Sequence, residues 1–557
     1  MEGPNQQRRA IQRHTGARRA AWIAIGIALL LVAVSAFLWF QPPPKPIAKP
    51  PPTPFPSVPG SLGGLNGSPV SLHQGFLGVN ARADAPLTPA ALAGLNGTDV
   101  RTLRWPGGGL GDRMDPVANG GSGVVYNDSG GATSPSTTLA EFVQWCRSIS
   151  CQSILTLPAE INSTATELAI VNYTERNLGF TPTYWEIGNE PAEWRHFGVP
   201  WANWNASQNL TTTPDQFAQL VQRFVGALRS VDTTTDIIGI GGIGHSAVPQ
   251  SRWISGVVSR DGPNLSAVAI HVYPAGPGFP SSDLRNWFAS LWGGSALPSR
   301  VPTTVGIVQT ACPTCRLNVV VDEFQTGTQL TSATALSGGA LATSIGAEII
   351  QALPLPLQSL DYYNFESYTP GAWFTPSGAS SAASSLYSGL AAQLGPIAEQ
   401  LNVTSAAHGL LAAEGGATPS AMNNLLLVNS NTSFGFHLNL SQRLAASAGD
   451  SAWTFNETSS QPTLFTFQPI AANNWTIPPA SLVIIHDSRP SNSLTGLPVR
   501  IGHPGTDLQG GLASLHDGRL EPNRTAQLVG LSLQEDARNA LPSYRLGNTP
   551  APIVRWE

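Results

Sequence analysis

Charge is what this sequence has least of. Only 11% of its 557 residues are Asp, Glu, Lys or Arg, against about 25% in an average soluble domain. Its surface must therefore be mostly uncharged. Lysine occurs twice, at Lys45 and Lys49, both in a proline-rich stretch. With a formal net charge of -5, the chain has no basic face to neutralise a row of phosphates, and no nucleic-acid partner is expected. Cysteine is scarce too. The four present form two close pairs, Cys146 with Cys151 and Cys312 with Cys315, which outside a reducing cytosol read as local disulfides. Two distant pairs without a nearby histidine make a poor zinc site. No P-loop, Ser-His-Asp array, dinucleotide fingerprint or clustered metal-ligand signature is found, so no cofactor is expected.

What is present begins with an address. Residues 20–40 are an uncharged, apolar run, about 31 Å long as a helix at ~1.5 Å per residue, enough to cross a bilayer. Arg8, Arg9, Arg13, Arg18 and Arg19 precede it, which leaves residues 1–19 cytoplasmic by the positive-inside tendency. The expectation is a single-pass signal-anchor in the cell membrane with the rest of the chain extracellular. A cleaved signal peptide is the alternative, since Val34-Ser35-Ala36 resembles a cleavage site. Residues 41–60 carry ten prolines and read as an extended stalk. Fourteen Asn-x-Ser/Thr sequons follow, from Asn66 to Asn523, which suits a glycosylated outer surface.

From about residue 75 to 400, short apolar strands alternate with longer amphipathic segments, the pattern of a parallel sheet wrapped by helices. Eight strands are expected at residues 75–80, 100–105, 151–157, 184–189, 236–240, 267–273, 318–323 and 360–365. Helices are expected at 139–148, 167–177, 214–231 and 333–353. Eight such units predict a (β/α)8 TIM barrel, placed at 61–400, with its active site at the C-terminal strand ends. Short alternating runs beyond Asn402 predict a β-sandwich at 401–490. Residues 491–557 give no readable periodicity.

Two glutamates stand at strand ends. The fourth strand closes in Trp185-Glu186-Ile187-Gly188-Asn189-Glu190-Pro191 and the seventh in Val321-Asp322-Glu323-Phe324. A pair of carboxylates about 5 to 5.5 Å apart performs retaining glycoside hydrolysis: one protonates the leaving oxygen, the other attacks the anomeric carbon. Asn189 is positioned to bind a sugar hydroxyl. Asp322 is the alternative nucleophile, although strand alternation turns neighbours to opposite faces. Glu186 shares the parity of Glu190 and reads as a structural partner inside the barrel.

These motifs resemble clan A of the retaining glycoside hydrolases, and a barrel followed by a β-module resembles its heparanase and β-glucuronidase family. The resemblance implies Glu190 as acid/base and Glu323 as nucleophile. Leu103-Arg104-Trp105-Pro106-Gly107-Gly108 is similar to the second-strand motif of arabinofuranosidases, implying that Arg104 adjoins the nucleophile and holds it ionised. His271-Val272-Tyr273 matches a clan pattern on the sixth strand, where Tyr273 would donate to the nucleophile and His271 would contact the sugar. Gly109 stands where arabinofuranosidases tend to have Asn, which argues against a pentofuranose. Glu366, past the eighth strand, and the tryptophans Trp105, Trp185, Trp194, Trp201 and Trp204 are further candidates for sugar contact.

The expected substrate is an extracellular polysaccharide or glycoconjugate, cleaved through a covalent glycosyl-enzyme. Its glycone reads as glucuronidase or heparanase-like, with an α-L-arabinofuranosidase or β-xylosidase specificity as the alternative. A non-catalytic carbohydrate-binding surface protein is the rival class. The low charge content would also suit an acidic habitat.

Overall fold

A computed structural model describes residues 56–65, 69–72, 75–96, 100–127, 131–199, 210–244, 246–275, 284–325, 338–365, 390, 394–405, 408–416, 422–438, 451–456, 466–469, 475–477, 479–486, 513–516 and 519–522. The basic segment at 1–19, the expected membrane span at 20–40 and the stalk up to residue 55 lie outside these. Among the described residues no helix is long and apolar enough to cross a membrane.

Eight parallel strands close into a barrel in chain order. They are β1 (Leu77–Ala81), β2 (Thr102–Trp105), β3 (Gln152–Leu157), β4 (Tyr184–Ile187), β5 (Asp236–Gly241), β6 (Ala267–Val272), β7 (Asn318–Phe324) and β8 (Leu357–Phe365). The helices between them follow local chemistry. Leu139–Ile149 (α1) opens with a capping box, Thr138 and Glu141 satisfying each other's backbone N–H groups. Pro214–Val231 (α3, counting Thr164–Asn172 as α2) opens with another, Thr213 with Gln216, and a proline in its first turn. It buries Phe217, Leu220, Val221, Phe224, Val225 and Leu228 at the three-to-four spacing of one helix face.

Inside the barrel, composition changes with height. Ile154, Tyr184, Ile238, Ala267, Ala269 and Val320 form an apolar plug toward the strand starts. Two residues further along several of the same inward faces stand Thr156, Glu186, His271 and Asp322, all buried. Strand alternation thus stacks a polar layer on an apolar floor, below the mouth.

The second body departs from expectation in its boundaries. Ten strands form one sheet, from Thr466–Pro469 at one end to Trp475–Ile477 at the other. One of them, Ser57–Leu65, comes from the expected stalk, pairing antiparallel with Ile397–Ser405 and parallel with Gly435–Leu438. The expected stalk end at 60 and barrel start at 61 therefore fall inside a strand of this sheet, and the sheet resumes at Ile397, ahead of the expected 401. Alternate residues serve two cores. Leu410, Ala412, Leu425, Leu427, Val483 and Ile485 enclose a core within the sheet domain. Their neighbours Leu411, Ala413, Leu426, Val428, Leu482 and Ile484 join the main barrel core. There a Cβ on Gly346 of helix Gly338–Ala352 would meet Leu482 at 2.3 Å. Within 491–557, the described residues form one antiparallel pair, Ala513–His516 with Arg519–Pro522.

Candidate active site

Arg104, on β2, is the centre of the polar layer. Its side chain is wholly buried, and a buried guanidinium is tolerated only where its donors find acceptors. Here they do. Nε donates to Glu186 Oε2 at 2.7 Å, NH1 to Asn80 Oδ1 at 2.9 Å and Glu323 Oε1 at 2.8 Å, and NH2 to Asn189 Oδ1 at 2.7 Å, with Asp322 Oδ2 at 3.2 Å. One cation thereby ties β1, β2, β4 and β7 together under the mouth.

Simple alternation on β7 would turn Glu323 away from the cleft that Asp322 faces. The strand is irregular there. Ala269 of β6 lies opposite Val320, but His271 lies opposite Glu323, so two steps on β6 match three on β7. This bulge re-aims Glu323 inward, which corrects the alternation argument: both acids reach Arg104. Asp322 is the deeper, fully buried one. Oε1 of Glu323 is held by Arg104, and Oε2 accepts from the Tyr273 hydroxyl at 2.7 Å. The rotation of this carboxyl is fixed at both oxygens.

Glu190 stands across from it, just past β4, with φ of +45°. A non-glycine residue in the left-handed region is strained, a state that surrounding structure must enforce. Gly188, with φ of +70°, makes the preceding turn possible, since a Cβ there would lie 2.7 Å from the Trp194 ring. The Glu190 amide then donates to Gly241 O on β5 at 3.0 Å.

His271 joins the two glutamates. Its Nδ1 is 2.8 Å from Glu190 Oε1 and 3.4 Å from Glu323 Oε2, while Nε2 is 3.5 Å from Asp322 Oδ2. Burial alone would lower its pKa, but Glu323 and Asp322 outweigh that and hold the ring protonated well above the usual histidine range. For Glu323, burial pushes the carboxyl above the ordinary range; His271 and Arg104 pull it back, and Glu190 and Asp322 push it further up. Arg104 therefore pairs with Glu323 as expected without bringing it below an ordinary glutamate. Glu186 is pushed up to about 8, burial being the largest cause and Arg104 the main counterweight.

Glu190, His271 and Glu323 place one donor atom each within 4.8 Å of one another. A metal ion could sit among such atoms. Arg104 and Tyr273 already occupy both oxygens of Glu323, however, so these donors fit acid-base chemistry better. The same distance brings a Glu190 oxygen near a Glu323 oxygen, the close approach that a retaining pair requires.

Beside Glu190 opens a recess of about 230 Å³, lined among others by Asp112, Arg113, Glu160, Glu193 and Arg195. Asp112 accepts from the Asn189 amide at 3.0 Å, and burial with Glu160 nearby pushes its carboxyl well up. The recess adjoins Glu190 and excludes Glu323, as a space for a leaving group would.

Several candidates fall elsewhere. Trp185 alternates with Glu186 and is buried in the outer core, so it cannot touch substrate; Trp105 packs on Phe142, and Trp194 donates to Asn189 O. Asn189 is buried, its amide oxygen spent on Arg104. Glu366, Trp201 and Trp204 lie outside the described residues. Both expected disulfides, Cys146 with Cys151 and Cys312 with Cys315, are formed. Residues missed by sequence reasoning are Arg82, Asp84 and Tyr363. The first two sit just past β1, and the rule that selected Glu366 past the eighth strand would have found them.

No protein-family model and no curated protein matches the sequence. Solved structures do match. A family 51 α-L-arabinofuranosidase from Bifidobacterium longum is 15% identical, with 77% of this chain and 99% of that one covered and a TM-score of 0.55. A GH51 arabinofuranosidase from Xanthomonas axonopodis pv. citri gives 14%, 77%, 99% and 0.56 for the same measures. A GH family 44 xyloglucanase from Paenibacillus polymyxa gives 11%, 78%, 100% and 0.53. At these identities the likeness is one of fold: the chain has the barrel-plus-sheet architecture of the glycoside hydrolases its motifs resemble.

Proposed function

We propose that this chain is a retaining glycoside hydrolase. The observation that carries the reading is the convergence of Glu190 and Glu323 on one protonated histidine, with their oxygens within reach of a single sugar. Glu323, fixed by Arg104 and Tyr273, attacks the anomeric carbon. Glu190, on the recess side, protonates the departing oxygen, and His271 then stabilises the carboxylate left behind. In the second half, Glu190 takes a proton from water, which hydrolyses the glycosyl-enzyme. No step calls for a cofactor.

The substrate is a polysaccharide or glycoconjugate. Its glycone lies between a glucuronidase or heparanase-like specificity and an arabinofuranosidase or xylosidase-like one. The neighbours named as arabinofuranosidases support the second, and Gly109 in place of Asn speaks against a pentofuranose. The apolar run at 20–40 and the sequons support catalysis outside a cell membrane.

Hydrolysis of aryl glycosides by Glu190→Gln and Glu323→Gln tests the assignment. Each should lose at least about a thousandfold in kcat. Azide should restore turnover through a different glycosyl azide anomer in each variant, separating nucleophile from acid/base. Wild-type rates in both would leave a non-catalytic carbohydrate-binding protein as the better reading.

A further inference from the structure

Tyr363 is an inward residue of β8, two positions beyond the buried Asp361. Its ring meets Tyr273 edge-on with centroids 6.2 Å apart, and Tyr273 in turn holds Glu323. Its hydroxyl oxygen accepts from Arg82 NH1 at 3.0 Å. Arg82 itself is gripped by Asp84 in a two-pronged pair, Nε to Oδ1 at 2.9 Å and NH2 to Oδ2 at 2.6 Å. Room for the hydroxyl comes from Gly108, where a Cβ would stand 2.8 Å from it. The half-buried phenol keeps its proton, its pKa pushed up to about 12 by burial and then by the Glu323 charge. With Arg82 donating to its oxygen, the phenol keeps its own proton to donate.

The charges around this donor bear on which sugar it meets. Arg104 makes four hydrogen bonds and an ion pair with the buried Asp322. Arg82 is compensated by Asp84. Arg300 donates to the main-chain carbonyl of His271 at 3.4 Å. The stretches 200–209, 276–283, 326–337 and 366–389, which follow β4, β6, β7 and β8, contain no lysine or arginine. His271 is a further cation, shared among Glu190, Asp322 and Glu323, and Arg113 and Arg195 line the recess on the leaving-group side. A carboxylate on the glycone would have to compete with Glu323, Asp322 or Asp84 for a cation that each already holds.

We propose that Tyr363 is a substrate-contacting, specificity-determining residue, that Arg82 and Asp84 position it, and that the site takes a neutral glycone and rejects a uronic acid. This deepens the glycosidase reading and rests on it.

The test compares 4-nitrophenyl α-L-arabinofuranoside, β-D-xyloside, β-D-glucoside and β-D-glucuronide. Wild type should favour one neutral glycoside over the glucuronide by about a hundredfold or more in kcat/KM, the scale of discrimination when a charge is left unpaired. Tyr363→Phe should lose about 10- to 100-fold on that glycoside with an unchanged melting temperature, the ordinary effect of deleting one hydrogen bond in a site. Asp84→Asn, which leaves Arg82 uncompensated, should shift the glucuronide-to-neutral ratio upward by about tenfold. A merely structural role for Asp84 would lower both substrates together and overturn the positioning. A glucuronide preferred by wild type, with that preference abolished in Arg300→Gln, would overturn the neutral-glycone proposal, as would unchanged kinetics in Tyr363→Phe. No hydrolysis of any of the four by wild type would overturn the parent reading and this one with it.

Discussion

Glu323 is asked to be an anion in a place where burial opposes charge. Its two cations, His271 and Arg104, are what keep it usable, so its deprotonation should set the acid limb of the pH profile. Because its pKa is raised, that limb should fall above the ordinary glutamate range. Removing a cation raises a carboxylate's pKa further, so His271→Gln should move the limb to still higher pH, with kcat/KM at the optimum reduced about a hundredfold. The kcat/KM profile of both proteins on one aryl glycoside checks this; a limb that stays put would detach His271 from the nucleophile. At this scale the sequence was informative where parity held. Arg104, Glu186 and Glu190 follow from strand position and motif. Glu323 reaches the cleft only through a bulge, which is a mismatch between two strands and leaves no mark on either alone. Tyr363 was passed over because a tyrosine on a strand reads equally well as core.

The eight barrel strands were legible because each is buried on both faces and so appears as an apolar run between turns. Strand Ser57–Leu65 was not. Its sequence, SVPGSLGGL, has no β-branched alternation, and its partners lie more than three hundred residues away, so pairing comes from contact that local pattern cannot carry. Helices show the same divide. The bounds of α3 were read to the residue, whereas α2 carries a glutamate on its buried side. Glu167 is 1% exposed, and burial pushes its carboxyl up to about 9. It is therefore neutral when folded and ionised when unfolded between about pH 4.5 and 9, and stability falls as pH rises through that window. Glu167→Gln keeps the shape and removes the titration. At pH 8 it should raise the melting temperature by a few degrees, equivalent to about 2 kcal/mol, and at pH 4 it should change little. Equal shifts at both pH values would refute the burial argument.

Summed over the molecule, the same sign recurs. Among the described residues, burial is the first cause of raised pKa at Asp112, Glu167, Glu175, Glu186, Asp261, Glu323, Glu348, Asp361 and Glu399. Asp232, through hydrogen bonds from Thr235 and Thr234, and Asp322, through Arg104 and His271, are lowered against the opposing effect of burial. Each raised group holds its proton to a higher pH in the folded chain than in the unfolded one. Protons are thus ligands of the native state, which must gain stability as pH falls from neutrality toward the ordinary carboxylate range. Below that range both states are protonated and the gain stops, while Asp232 and Asp322 begin to oppose folding. A chain so poor in charge has few surface carboxylates to repel one another or to lose partners, so little counteracts this trend. Thermal unfolding followed by calorimetry should therefore give a higher melting temperature at pH 5 than at pH 8, by at least about 5 °C for several such groups. A maximum at pH 7 to 8 would mean that these carboxyls are solvated or paired in solution, and would remove the physical basis for an acidic working environment.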